Sequence, residues 1–587
     1  MAENQSHPDL ARAVAALNRE QFAEANQLFK SVLDADPNNV EAYVNRGYVL
    51  NRLGETDAAI ASYQKSVEVR PNDAKLYAIL GAVLQSAGRA AEAEASYRRA
   101  VALKPGDFKT FLKLGRLLLT EGRPAEAEGF FRHALTLNPA SADVHFGLAS
   151  LCQNQGRVAE AEAHFRQVIQ LAPDHVVAHS SLIFTIDLRA PNAAAMQPER
   201  KRWADQFAAS KRDKTPFANT PDPDRRLKVG YVSADFRQHS AAMVFGAMLT
   251  KYNRDQFEVY AYDNSSVADD LTRRFQQTVP HWRHICGLSD DAVARMIRDD
   301  GIDILVDLSG HSSGNRLLVF ARKPAPIQIT AWGFLSGTGL EAMDAILADP
   351  VIVPENERAF YSEEVVYLPN GVNGAYFLTK YPDVNELPAA TAGNVTFGSF
   401  NRLVKLSDEV IKLWARVLLA VPGSRMIIKS PGLESPQLRL RIIELFSNAG
   451  VETARIVFMG RSSWSEHMAA FNQIDIALDT FPHCGGVTTL EGLMMGIPVV
   501  TLRWPTIVGR VSASCMTTLE LVSWIANTQD EYVAIAAEKA KDLARLSELR
   551  ETLRARVLGS VLGDGVAYAM AVEREYRKLW KKWCDAR

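Results

Sequence analysis

The segment His483–Val500, HCGGVTTLEGLMMGIPVV, concentrates residue types that bind anions. Gly485 and Gly486 follow an apolar run, Val487, Thr488 and Thr489 stand where a helix would start, and Glu491 lies one turn in. Glycines let the backbone close on a ligand, and free amides at a helix amino end favour phosphate. The same glycine pair also suits a plain tight turn. Glu491 can hold two neighbouring ribose hydroxyls or simply complement the helix dipole. Lys405, in FGSFNRLVKLSDE, sits in a loop between a strand ending near Asn401 and a helix that Ser407 can cap. A compact ammonium there can neutralise a diphosphate, or be a solvated surface lysine. His467 begins a helix with Ser463 and Glu466 at capping-box spacing, and is either structural or placed to meet a nucleotide base.

Two further constellations stand at strand exits. SADFRQHSA carries Asp235 and His239, and DLSGHSSGNR carries Asp307 and His311, each pair four residues apart. Catalytic groups of α/β folds gather at such exits, where an imidazole can act as general base or hold a sugar. The alternative is a loop histidine satisfied by backbone. The only Asp-x-Asp triplets, Asp34 to Asp36 and Asp222 to Asp224, do not follow hydrophobic strands.

These residues need α/β scaffolds, and the chain alternates accordingly. Strand-like runs begin at Leu227, Phe257, Asp303, Ile327 and Glu363, with helical stretches such as DDAVARMIRDD between some of them. A second alternation runs from NVTFGSFN through RMIIK, RIVFMG, DIALDTF and IPVVTL. Near-continuous apolar strands separated by helices predict parallel sheets covered on both faces. Two such domains, 226–385 and 386–587, leave a cleft between their strand ends. The segment from Gln529 onward reads as helices packed back on these domains.

The first third of the chain is different. Pro37, Pro71, Pro105, Pro139 and Pro173 stand 34 residues apart, with Gly47, Gly81, Gly115 and Ala149 in the same register. Ala25, Ala59, Ala93, Ala127 and Ala161 are each followed four residues later by an aromatic ring. This is the tetratricopeptide repeat pattern, a solenoid of helix pairs. The repeats are expected over 1–188, with 189–225, ending in ANTPDPDRR, as a linker.

Composition excludes some classes. With 66 basic and 68 acidic residues the net charge is -2, giving no general attraction to nucleic acid or an anionic membrane. Five cysteines lack any CxxC pair, which fits a reducing compartment. The start, MAENQSHPDL, shows no signal sequence, and no 18-residue apolar run occurs, so the expectation is a cytoplasmic protein without a membrane partner.

In order, the repeats, YVSADFRQHSA, DILVDLSGHSSGN, RKPAPIQITAWGFLSGTG, FGSFNRLVK, ALDTFP and TTLEGLMMGIPVVTL resemble the O-GlcNAc transferase family, including its plant SPINDLY branch. The resemblance spans essentially the whole chain. It implies a tetratricopeptide superhelix followed by a GT-B glycosyltransferase of two Rossmann-like domains, inverting and metal-independent. The implied activity moves GlcNAc from UDP-GlcNAc to Ser or Thr of protein acceptors bound by the repeat array. By the same resemblance, Lys405 meets the leaving diphosphate, Thr488 and Thr489 donate to its phosphates beside Gly485 and Gly486, Glu491 holds the ribose and His467 faces the base. His239 matches the histidine at the reaction centre, as general base or for acceptor positioning; Asp307 and His311 are further catalytic candidates. Gly486, Trp464 and Glu491 depart from the animal enzyme, which has His, Lys and Asp there. FGSFN, the Gly-His of GHSSGN and Glu491 look closer to SPINDLY, a branch using GDP-fucose, so fucosyl transfer is the alternative. An inactive repeat-based interaction protein, or transfer to lipid or small-molecule acceptors, are others. The asparagine ladder of the animal superhelix is replaced by Asn45, Ile79, Lys113 and Gly147.

Overall fold

Proline ends one helix of each repeat, and the residue two places on starts the next. Pro37, Pro71, Pro105, Pro139 and Pro173 follow second helices such as Phe22–Ala35, Thr56–Val69 and Ala90–Leu103. Proline has no amide to donate, and its ring clashes with the preceding turn. Asn39, Asp73, Asp107, Ser141 and His175 then accept from an amide of the following helix at 2.9 to 3.4 Å. Within each pair the glycine lies flat on the aromatic ring: a Cβ on Gly47, Gly81 or Gly115 would stand 2.8, 2.8 or 2.6 Å from the rings of Tyr63, Tyr97 or Phe131. This is the close helix approach that the spacing of small residues and rings predicts.

The computed structural model describes residues 8–369, 371–374 and 381–587. The segment MAENQSH, read above for targeting signals, lies outside them. Two compact units are present, Met1–Leu151 with Gln167–Pro173, and Cys152–Arg166 with Asp174–Arg587. Among the described residues no helix is long and apolar enough to cross a membrane.

The second unit contains two parallel sheets. In the first lobe β1 (Leu227–Ser233), β2 (Phe257–Asp263), β3 (His281–His284), β4 (Ile304–Asp307), β5 (Ile327–Thr330), β6 (Ala345–Ala348) and β7 (Glu364–Tyr367) lie in the order β3-β2-β1-β4-β5-β6-β7. In the second, β8 (Thr396–Ser399), β9 (Arg425–Lys429), β10 (Ile456–Met459), β11 (Ile476–Leu478), β12 (Val499–Leu502) and β13 (Ile525–Ala526) lie in the order β10-β9-β8-β11-β12-β13. Strand order reverses between β1 and β4 and between β8 and β11, which opens a crevice at their carboxyl ends. The apolar runs form strands where expected. Three strands lie outside the runs expected above: β3 is a half-exposed edge of sequence HWRH, β13 has two residues, and β6 is the short buried run AILA.

Residues 189–225 are not merely a linker. They contain the helix Ala193–Phe207, on which Ala193, Met196, Arg200 and Trp203 form one buried stripe. Those positions recur at helical spacing, a pattern masked by the intervening charged residues. Trp203 shares a core with Ile183, Val232, Leu305 and Phe320. Arg200 pairs with Asp187 and donates to Met196 O (2.7 Å), Ser336 Oγ (2.8 Å) and Gly337 O (3.1 Å). The first lobe therefore begins before residue 189, inside the segment assigned above to the repeats.

The expected boundary of 386–587 is also incomplete. The last helix, Gly565–Asp585, returns to the first lobe, burying Tyr568, Tyr576 and Trp580 in the core that includes Leu227, Tyr231 and Trp332. Trp332 Nε1 donates to the Tyr568 hydroxyl at 2.5 Å, and Trp580 Nε1 to Asp222 O at 2.8 Å.

Asp187→Ala leaves the Arg200 guanidinium buried without its counter-charge, and is expected to cost about 3–5 kcal/mol in a urea unfolding curve. Adding Arg200→Met should restore much of that loss. A midpoint unmoved by Asp187→Ala would return this segment to linker status.

Candidate functional site

The second lobe builds its half of the cleft around a buried carboxylate. Asp479, just beyond β11, accepts through Oδ1 from Thr480 N (2.9 Å), Gly485 N (2.7 Å) and Asn401 Nδ2 (3.4 Å). Its Oδ2 accepts from Thr501 Oγ1 on β12 at 2.8 Å. These bonds satisfy a charge that burial would otherwise penalise heavily, and they tie the glycine loop to the ends of three strands. Asn401 in turn accepts from Thr488 Oγ1 at 3.0 Å.

Gly485 has no room for a side chain: a Cβ would stand 2.3 Å from Thr489 Oγ1 and 3.1 Å from Asp479 Oδ1. At Gly486 the nearest neighbour of a Cβ is Val511 Cγ1 at 3.7 Å, so the space above it is open. The helix Val487–Met494 starts here, its first loop-to-helix bond running from Leu490 N to Gly486 O (3.1 Å). The amides of Val487, Thr488 and Thr489 precede that bond and form the anion-attracting end. The Thr489 hydroxyl is not directed there; it bonds Ser512 Oγ at 2.8 Å in the interior.

Lys405 comes from the turn Leu403–Lys405, between β8 and the helix Asp408–Ala420, which Ser407 caps through Val410 N at 3.3 Å. Its Nζ donates to Cys484 O at 2.6 Å, at the edge of the glycine loop. Desolvation, reinforced by the charge of Arg402, pulls this half-buried ammonium down to about 8. On the other side of the loop Glu491 Oε2 lies 3.6 Å from His467 Nε2. His467 is on the helix Trp464–Ala470, whose capping box of Ser463 and Glu466 is formed as the spacing predicts. Its ring packs on Phe400 and Phe471, both at 5.6 Å between centroids.

From the first lobe His239 stands at the exit of β1 as the cap of the helix Ser240–Thr250. Its Nδ1 accepts from Ala241 N at 3.3 Å, with Asp235 Oδ2 3.4 Å away. Burial foremost, opposed by Asp235 and aided by Arg402 and Arg237, lowers its basicity, so the ring is neutral at pH 7. With Nδ1 accepting, the proton sits on Nε2. The field of Arg402, next in sequence to Asn401, reaches across the cleft to both His239 and Asp235.

Asp307 and His311 are placed elsewhere. Asp307 accepts from Ser309 N (3.1 Å), Gly310 N (2.9 Å) and Thr330 Oγ1 (2.8 Å), and burial raises its carboxyl to about 6. His311 is enclosed, with Nε2 bonded to Thr338 O (2.9 Å) and Nδ1 to Ser180 Oγ (3.4 Å), its ring edge-on to Trp203 at 5.1 Å. Desolvation and Arg200 push that imidazole down to about 3, so it remains neutral. Both groups are spent on packing the first lobe, because the helix Ala193–Phe207 covers this strand exit. The cleft instead contains groups that the motifs did not single out: Asn401, Arg402, Asp479 and His483. His483, half-buried beside Lys405 and Phe334, has an Nδ1 with no hydrogen-bond partner among the described residues. Asp479 was detectable as a carboxylate ending an apolar strand four residues before a histidine. Among the described residues no three His, Cys, Asp or Glu side chains converge as a metal site would require.

The family model for glycosyl transferase family 41 matches residues 179–386 and 378–572, covering both lobes. The chain belongs to glycosyl transferase family 41. Tetratricopeptide repeat models match 10–74, 52–108 and 118–183. Among family 41 relatives, the probable UDP-N-acetylglucosamine--peptide N-acetylglucosaminyltransferase SPINDLY of Arabidopsis thaliana is 36% identical over 392 residues, 65% of this chain and 42% of that protein. SEC of the same plant, which carries the same enzyme name, is 32% identical over 379 residues, 62% of this chain and 38% of its own. The chain thus spans less than half the length of these relatives. A mutant O-GlcNAc transferase of Thermobaculum terrenum has the same architecture, with a TM-score of 0.81 at 31% identity over 87% of this chain and 98% of that one. Repeats followed by two parallel α/β sheets are therefore the architecture of this family 41 member.

The two loop glycines separate packing from access. Gly485→Ala is expected to destabilise by about 1–3 kcal/mol through overpacking against Thr489 and Asp479, whereas Gly486→Ala should stay within about 0.5 kcal/mol. Paired thermal melts check this; equal losses would refute the asymmetric cradle.

Proposed function

We propose that the chain is a protein O-glycosyltransferase that moves GlcNAc from UDP-GlcNAc to Ser or Thr hydroxyls of protein acceptors by an inverting, metal-independent reaction. The observation that carries this reading is Lys405 Nζ held 2.6 Å from Cys484 O on the rim of a glycine loop that leads into free helix-end amides. An ammonium and preorganised amides are a charge sink for a departing diphosphate. Glu491, beside His467, supplies acceptors for ribose hydroxyls, and the His467, Phe400 and Phe471 rings supply an aromatic wall for a base.

In this mechanism the acceptor hydroxyl attacks the anomeric carbon as the bond to the diphosphate oxygen breaks on the opposite face, its proton passing through water to the departing diphosphate, and Lys405 meets the charge that develops there. His239 orients the reactants as an Nε2–H donor, since acting as a base would require its cap bond to Ala241 to be given up. The names of the family 41 relatives support the UDP-GlcNAc assignment, and the repeats support a protein acceptor. A GDP-linked fucose is the second reading, favoured by the likeness of FGSFN, the Gly-His of GHSSGN and Glu491 to the SPINDLY branch.

Incubating the purified chain with a panel of nucleotide sugars and a cell lysate, followed by intact-mass analysis, is expected to show N-acetylhexosamine additions on proteins. Deoxyhexose additions would select the second reading. Lys405→Ala should reduce turnover by about 10²–10³-fold. If no donor binds and Lys405→Ala changes nothing, the chain is a repeat-based interaction protein.

The pH dependence follows from the same lysine. Lys405 is charged below about 8 and loses its proton above it, so diphosphate binding at higher pH must recruit a proton. UDP affinity should be flat from about pH 7, where the terminal phosphate is already ionised, to about pH 8, and fall by about tenfold per pH unit above it, as titration calorimetry in buffers of matched ionic strength would read. Lys405→Met should remove the inflection, and an unchanged inflection in that variant would assign it to another group.

A further inference from the structure

Four repeats turn between their two helices on a left-handed glycine, Gly54, Gly88, Gly122 and Gly156, with φ of 81, 74, 74 and 73°. In the first three this turn is in solvent: Leu53, Ala87 and Glu121 are exposed beside their glycines, and a Cβ on Gly54, Gly88 or Gly122 would meet nothing within 4 Å. In the fourth, Gln155 and Gly156 are buried. A Cβ on Gly156 would stand 2.6 Å from Leu403 O and 3.1 Å from Leu406 O. These two carbonyls flank Lys405. Gln155 O accepts from Arg441 Nη1 at 3.3 Å, and Arg441 also pairs with Asp408, at the start of the helix that follows the lysine turn, at 2.5 Å. On its other side the lysine turn is held by Ser430 Oγ, which accepts from Leu403 N at 3.1 Å.

We propose that the Gln155–Gly156 turn is a positioning element for the reaction, clamping the Leu403–Leu406 backbone against Ser430 so that Lys405 is presented at the glycine loop. The inference rests on the role given to Lys405 above. It makes the last inter-helix turn of the repeats a structural part of the diphosphate site, and it explains why this turn alone of the four is buried: the glycine allows two carbonyls to come within contact of its backbone where any side chain would displace them. Arg441 completes the clamp by joining the Gln155 carbonyl of the turn to the helix after the lysine.

The four glycines provide a matched experiment in the full chain. Gly122→Ala and Gly156→Ala impose the same left-handed strain on equivalent turns, but only the second pushes on the lysine turn. Hydrolysis of UDP-GlcNAc and GDP-fucose, which needs no protein acceptor, is expected to fall by about 10–100-fold in Gly156→Ala, a cost typical of misplacing a catalytic group by an ångström. In Gly122→Ala it should stay within about twofold of the unmodified chain, since nothing near that turn touches the site. The midpoint of the pH dependence of UDP and GDP affinity should move in Gly156→Ala and not in Gly122→Ala, a change that loss of stability alone would not produce. Should Gly156→Ala fail to fold, Arg441→Met, which adds no bulk, is expected to lower hydrolysis and move the same midpoint. Equal behaviour of the Gly122 and Gly156 variants, or no effect of Arg441→Met where it must decide, overturns the proposal while leaving Lys405 in place. If Lys405→Ala itself has no effect, both this proposal and the reading beneath it are wrong.

Discussion

The second lobe's site depends on one buried carboxylate that forms no salt bridge among the described residues. Asp479 is satisfied by four donors drawn from its own strand exit, from Asn401, from Thr501 and from the glycine loop. Removing any of these donors leaves part of a buried charge uncompensated, a penalty larger than the net worth of an ordinary hydrogen bond. The loop cannot relax away from Asp479, and the helix-end amides and Thr488 are fixed with it. Outside the loop, Trp414 Nε1 (3.4 Å) and the Tyr532 hydroxyl (2.9 Å) bond to the backbone carbonyl of the same residue, anchoring the site to two helices of the lobe.

The first lobe uses the same device at the same topological place. Asp307 ends β4 as Asp479 follows β11, each strand being next to the reversal of strand order. Each carboxylate takes a threonine hydroxyl from the neighbouring strand, Thr330 or Thr501, and backbone amides from its own loop. What differs is the cover. Over Asp307 lie His311 and the helix bearing Arg200 and Trp203, so the loop is sealed into the core. Over Asp479 the space above Gly486 stays open.

That difference sets how much could be read from the sequence. The 34-residue beat, the strands rich in Val and Ile, and the caps at Ser407 and Ser463 are local signals, and the structure reproduces them. The Gly-Gly-to-helix transition is local as well, so Lys405, the glycines and Glu491 were visible as a group. Asp307 and Asp479 are nearly the same signal in sequence, a carboxylate ending an apolar strand before a histidine. Only the long-range packing of a helix rich in Ala, Lys and Arg decides which one faces a cleft. The return of the last helix to the first lobe was hidden for the same reason: its aromatic stripe declares a buried face but not the partner that buries it.

Electrostatics in the cleft carry the comparison one step further. Lys405 is held without a carboxylate partner, its ammonium resting on a backbone carbonyl at 2.6 Å, and Arg402 adds a second positive charge nearby. Desolvation is the main reason that the lysine is easier to deprotonate than in water, and the like charge of Arg402 adds to it. A dianionic ligand reverses the sign of that interaction, since each positive charge then gains a partner in a poorly solvated setting. On the proposed function, a diphosphate supplies the partner that Lys405 lacks, and does so most strongly in the state in which the diphosphate carries its full charge. Asp479 is saturated by neutral donors, so its field supports the charged form of Lys405 without drawing the ammonium away from the loop carbonyl, while Asp235 supports that of Arg402.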